Sequence, residues 1–139
     1  MNAAEQATSL DTATKIATIV NHFKQFFPDA TADLKPWRND PNTQDWLDPD
    51  SIDIGFHFPG WSPKFQSRSM LVQIRLHRDD ETPEPRAIGA EVVGFNHNGK
   101  QWQLSTIHSW SFEGVKLPKN EVQTQLKQFC RKLLEVFNA

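Results

Sequence analysis

A chain of 139 residues and 16.0 kDa has the length of one domain, enough to bury a proper core. Its net charge of −2 and pI near 6.2 exclude a general affinity for nucleic acid or an anionic membrane, and 11% aromatic content argues for a packed interior over disorder. The single cysteine, Cys130, excludes an internal disulfide and a cysteine-built metal cage.

No apolar run approaches the ~20 residues that would span a bilayer. Met1 to Leu10 shows no basic stretch followed by an apolar one. The expectation is a cytoplasmic protein with no membrane contact and no nucleic-acid partner. Charge is unevenly placed: residues 1–60 hold 4 Lys/Arg against 9 Asp/Glu, and residues 61–139 hold 11 against 8. Seven of those nine acids are Asp between Asp29 and Asp53, so the asymmetry belongs to one stretch.

Residues 1–8 read as a frayed leader. A helix is predicted over 12–27, with Ser9 or Asp11 as its cap and Thr8 and Asp11 spaced for a capping box. Ile16, Ile19, Val20, Phe23, Phe26 and Phe27 form its apolar face, and Pro28 stops it. Residues 28–50 hold four prolines and six Asp, which disfavour a continuous helix or strand. A loop of that length in a compact domain is usually functional or disordered. Its Leu34, Trp37, Trp46 and Leu47 argue that it packs down, with room for a helical turn at 42–47.

Strand character begins at Ser51–Phe58, where Ile52, Ile54, Phe56 and Phe58 alternate with polar or small residues. A turn-rich loop, Pro59–Gln66, leads to a second strand, Arg68–Arg78, with Met70, Val72, Ile74 and Leu76 on one face. An acidic turn at 79–85 follows. Two further strands, Ala87–Phe95 and Gln101–Phe112, flank His97-Asn98-Gly99, a strong hairpin signal. Parity sets the register. The bulk of the last strand lies at Trp102, Leu104, His108, Trp110 and Phe112, all even, as are the buried positions of the first two strands. A three-residue loop with a bulge at Gly99 pairs even with even, puts Ile88 in the core and turns Glu91 outward. Pro118 opens a last helix over 119–137, striped by Val122, Leu126, Phe129, Cys130, Leu133, Val136 and Phe137. The fold class read from this order is α+β: one domain over 1–139, α-β-β-β-β-α. A four-stranded antiparallel meander is covered on one face by the two terminal helices, in two layers.

The sequence carries little chemistry. His22, His77 and His97 share no metal-ligand spacing, and His-x-x-x-His, CxxC and phosphate-cradling glycine loops are absent. No metal, cofactor or catalytic residue is therefore assigned. Cys130 sits on a helix stripe and reads as a small core side chain. His108 reads either as a core imidazole or as a general base in a pocket, and the even face supplies no carboxylate for the second role.

The odd sheet face is the candidate site. Asp53, Gln73, Glu91 and Ser105 should lie abreast, with Arg75 diagonal to Glu91. The plainer reading is a solvated face with cross-strand charge pairs. Against it, Leu71, Val93, Phe95 and Ile107 share that face and call for a cover, either the 28–50 loop or a partner. The binding candidates are Asp53, His57, Arg75, Glu91, Phe95, Trp37 and Trp46. Base stacking on Trp37, Trp46 and Trp61 is disfavoured by the Asp residues around the first two.

The run IGFHFPGWSPKFQSRSMLVQIRL, residues 54–76, resembles a small uncharacterised protein family of cyanobacteria, and that resemblance implies no activity, cofactor or site. Two functions remain open. The first is a non-catalytic module that binds a protein partner or a second copy of itself through the odd face and the Asp/Trp loop. The second is a small-molecule binder or hydrolytic enzyme using Asp53, His57, Arg75 and Glu91. The sequence leans away from an enzyme.

Overall fold

The computed structural model describes residues 1–37 and 48–139. In chain order it contains α1 (Ala3–Gln6), α2 (Leu10–Phe26), β1 (Thr31–Asp33), β2 (Ser51–Ser62), β3 (Ser67–Asp79), β4 (Thr82–Asn96), β5 (Gly99–Ser105), β6 (Ser111–Gly114) and α3 (Asn120–Phe137). The class is α+β with an antiparallel sheet and helices at both ends, as expected. The sheet has six strands among the described residues, in the order β1-β2-β3-β4-β5-β6, where four were expected. One extra strand is β1, drawn from the proline-rich stretch. The other arises because the strand expected over 101–112 breaks at Ser105 and resumes at Ser111.

Burial follows the even positions. Ile52, Ile54, Phe56, Val72, Ile74, Val92, Trp102 and Leu104 are fully enclosed. α2 and α3 lie over them. Phe23 stacks on Phe56 with ring centroids 3.7 Å apart and meets Phe129 edge-on at 5.1 Å. The Ser9 hydroxyl caps α2 by accepting from the Thr12 amide at 3.1 Å. Cys130 is enclosed on α3, and burial pushes its thiol up to about 12.

Even pairs with even across β4 and β5, as parity required: Val92 faces Leu104 and Gly94 faces Trp102. The device differs in placement. Asn96 pairs with Gly99 around His97-Asn98, and the register slips between Gly94 and Phe95, leaving Gln101 as the extra residue. Gly99 takes a φ of +112°, a conformation open to glycine at little cost.

Other expectations fail for local reasons. A bulge separates Arg75↔Gly89 from Leu76↔Ala87, so Ala87 takes the core position and Ile88 is 63% exposed. His108 lies in the 106–110 turn and is exposed, so neither reading of it as a buried imidazole holds. Trp110, at the end of that turn, has φ +55°, and the Arg131 guanidinium lies over its indole, 5.5 Å from the ring centroid. The leader is docked instead of frayed: Asn2, Ala3 and Gln6 are all buried. The acidic turn also shrinks to Asp80-Glu81, and β2 runs on through Pro59 to Ser62. The helical turn expected at 42–47 lies outside the described residues.

Candidate functional site

Strand alternation sends Asp53, Gln73, Glu91 and Ser105 to the face away from the helices, and the register sets them in one row. Asp53 pairs with Gln73, Gln73 with Glu91, and Glu91 with Ser105. Arg75, one odd position along β3, donates to Glu91 at 3.4 Å. Its other terminal nitrogen reaches Asp48 Oδ2 at 2.9 Å. One guanidinium thus fastens the chain where it returns to the sheet at Asp48.

The outgoing end is held at Trp37. Asn2 accepts from the Trp37 amide and donates to its carbonyl, both at 2.8 Å. The Trp37 indole N–H donates to Asp53 Oδ2 at 2.5 Å, and the Met1 amine binds the same oxygen at 3.0 Å. A carboxylate that is only 2% exposed is thereby matched by a cation and a neutral donor, which offsets its desolvation. Asp53 Oδ1 and Ser105 Oγ are buried with no partner among the described residues. Gln6 adds a third tie by donating to the carbonyls of Pro49 and Ser51 at 2.7 and 2.9 Å. Two residues of the leader, Asn2 and Gln6, therefore hold the segments that border the face.

These ties leave a notch of about 190 Å³ beside the polar row. Gly55 and Leu71 form its floor, Pro36 and Trp37 one wall, Phe95 the other. A Cβ at Gly55 would lie 3.4 Å from that of Pro36 and 3.5 Å from that of Asp33, ordinary van der Waals contact, so the 33–37 stretch rests directly on the sheet there. His57 stands at the rim, exposed, with Nε2 3.3 Å from Asp33 Oδ2. A second, more polar hollow of about 360 Å³ continues past His57 and Ser69 to Arg68, Asn96 and His97.

Of the residues singled out from sequence, Asp53, Trp37, Arg75 and Glu91 belong to the bracing network, with Trp37 also a wall of the notch. Phe95 and His57 line the notch alone. Trp46 lies outside the described residues. Of the apolar residues expected on this face, Val93 is buried, Leu71 and Phe95 line the notch, and Ile107 covers Gly89 while staying 46% exposed. Asp53 and His57 do not converge, because four residue steps along β2 set them ~13 Å apart. Sequence reasoning missed Asn2, Gln6, Asp48 as the particular partner of Arg75, and Arg68. Only the crowding of Asp residues in the 28–50 stretch, with Arg75 on the odd face of the sheet, hinted at the third.

Among the described residues no group of three or more His, Cys, Asp or Glu is arranged to hold a metal ion, and no helix is long and apolar enough to cross a membrane. Fold and face together define an α+β module with one sheet face under helices and the other bearing a braced, partly roofed apolar notch. The chain belongs to a family described as a domain of unknown function, whose model matches residues 4–139. No curated protein and no solved structure matches it.

Proposed function

We propose that this chain is a non-catalytic protein-interaction module that receives a partner polypeptide on the sheet face opposite its helices. The observation that carries this reading is the notch: two aromatic walls and a leucine floor, open to water, on a hydrogen-bonded sheet. Interfaces concentrate their energy where an aromatic or aliphatic side chain fills such a pocket. At about 190 Å³ the notch is smaller than the ~300–1,000 Å³ typical of pockets that engulf small molecules, and suits one large side chain. Two members of the polar row behind it, Asp53 and Glu91, are already engaged in bracing. Asp53 serves Trp37 and the Met1 amine, and Arg75 serves Asp48 and Glu91. That favours a binding face over the small-molecule or hydrolytic alternative, which needs those groups free to meet a substrate.

The test is site-specific photocrosslinking in the native host. A benzophenone-bearing phenylalanine at Phe95 should give one discrete polypeptide adduct. The same probe at Leu10, 85% exposed on the far helix, should not. Absence of any adduct from position 95, or the same adducts from both positions, would contradict the reading.

A further inference from the structure

Antiparallel connectivity sorts the turns of the sheet to two ends. The β2–β3 turn at 63–66, the β4–β5 turn at His97-Asn98 and the exit from β6 at Val115 share one end. Two backbone hydrogen bonds tie them together: the Val115 amide donates to the Gln101 carbonyl at 2.9 Å, and the Lys119 amide to that of Lys64 at 3.0 Å. The Asp80-Glu81 turn and the 106–110 turn share the other end.

Charge separates with them. At the first end Arg68, Lys100, Lys116 and Lys119 are exposed and Lys64 is half-exposed. Stretches 59–68, 97–100 and 113–121 hold those five cations against two acids, Glu113 and Glu121. Among the described residues only Lys64 of the five is ion-paired, with Glu121 at 3.6 Å. On the adjoining α2–β1 turn Lys24 and Asp29 cancel. At the other end residues 79–86 hold four Asp/Glu against Arg86, and Arg78 is paired with Asp50. The basic end also bares apolar bulk, with Val115 81% exposed, Trp61 51% and Leu117 40%.

We propose that this end docks on an anionic lipid surface, with Trp61, Val115 and Leu117 at the headgroup level and the five cations over the lipid phosphates and carboxylates. This does not rest on the reading of the notch. The whole-chain charge of −2, which argues against a general membrane affinity, averages over two unlike ends and describes neither. Tryptophan favours the boundary between headgroups and acyl chains, and lysine stems lie along apolar surface with the ammonium in the polar layer. Side chains this exposed project from the protein. A bilayer deforms around such projections, whereas a protein partner must supply a fitted pocket for each. A nucleic acid would engage the cations and leave Val115 and Leu117 in water. Leu10, Ile88 and Ile107 are exposed toward the acidic end, which an anionic surface repels, so the basic end is the one that faces the lipid.

Cosedimentation with vesicles tests it. Vesicles of ~30% phosphatidylserine in phosphatidylcholine should pellet the chain, pure phosphatidylcholine should not, and binding should fade as salt rises toward ~0.5 M. Lys116→Gln and Lys119→Gln should each weaken binding about fivefold. Trp61→Ala should weaken it too, whereas Ile88→Ala at the acidic end should leave it unchanged. All four side chains are exposed, so thermal melts of the variants should overlay that of the parent chain.

Equal pelleting with both vesicle types, or none with the charged ones at ~1 mM lipid in low salt, would overturn the proposal. So would binding that Lys116→Gln, Lys119→Gln and Trp61→Ala all leave intact. Tighter capture by poly-glutamate or by a single-stranded oligonucleotide than by the vesicles would make the partner an acidic polypeptide or a nucleic acid. Salt-sensitive oligomers lost in Lys116→Gln would assign the basic end to the acidic end of a second copy. Any of these results would overturn it.

Discussion

Replacing Gly94 by alanine probes the seam between β4 and β5 at its tightest point. The Trp102 ring lies where a side chain at Gly94 would be: an added Cβ would fall 2.3 Å from its Cε2 and 2.5 Å from its Nε1. Neither can give way easily, since Trp102 is fully enclosed and its indole donates to the Phe65 carbonyl at 2.8 Å. Forcing the ring aside is overpacking, at ~1–3 kcal/mol. Breaking the indole hydrogen bond and leaving its partners buried adds ~1–3 kcal/mol. Alanine returns ~0.4–1 kcal/mol by restricting the unfolded chain. The net loss is ~1–5.5 kcal/mol. With an unfolding entropy of ~2.1 cal/mol/K for each of 139 residues, that lowers Tm by about 3–19 °C. Urea melts followed by circular dichroism measure it, with Gly60→Ala as control because nothing lies within 4 Å of a Cβ there. A Gly94→Ala variant within ~0.5 kcal/mol of that control would mean Trp102 is seated elsewhere.

The other expectations rest on separate parts of the molecule. Phe129→Ala should cost ~3–5 kcal/mol in denaturant melts, and a loss below ~1 kcal/mol would show that α3 does not cover the sheet. A double-mutant cycle on Asp48 and Arg75 should give only ~0.2–1 kcal/mol of coupling, fading in ~1 M salt, because the two side chains are 44% and 29% exposed. Coupling that persists undiminished in salt would contradict that solvated geometry. Burial raises the Cys130 thiol from 9.0 to about 12, so above pH 9 the unfolded chain releases a proton that the folded one keeps. Stability should therefore be intact below pH 9 and fall as pH rises toward 12, by ~1.4 kcal/mol for each pH unit at most. Cys130→Ala should flatten that part of the curve. Parallel curves for the two proteins would show that the thiol ionises in place.

Much of the sheet was legible because burial acts with a period of two. The even positions from Ile52 to Leu104 define the register well enough to set Asp53, Gln73, Glu91 and Ser105 abreast from sequence alone. The same parity argument broke wherever a single residue shifts phase. The extra residue at Ile88 has no compositional mark, and alternation carried through it put an exposed side chain in the core. Thr106 to Trp110 fails differently. Its β-branched and aromatic residues read as strand, yet the chain turns there, reaching a positive φ at Trp110. α1 and β1 are too short, at four and three residues, to show any periodicity, so the leader's part in the site was invisible. The crowding of Asp residues in 28–50 made an ion pair with a sheet arginine expected from charge, but that Asp48 is the one on Arg75 depends on where the chain returns to the sheet.

The account stands on the notch being a seat for one large side chain of another polypeptide. Intermolecular nuclear Overhauser effects from the phenyl ring of a short phenylalanine-bearing peptide report that contact directly. They should connect the ring to the Leu71 methyls, the Trp37 indole and the Phe95 ring. Contacts instead to exposed apolar residues elsewhere, such as Leu10, Trp61 or Val115, would contradict it.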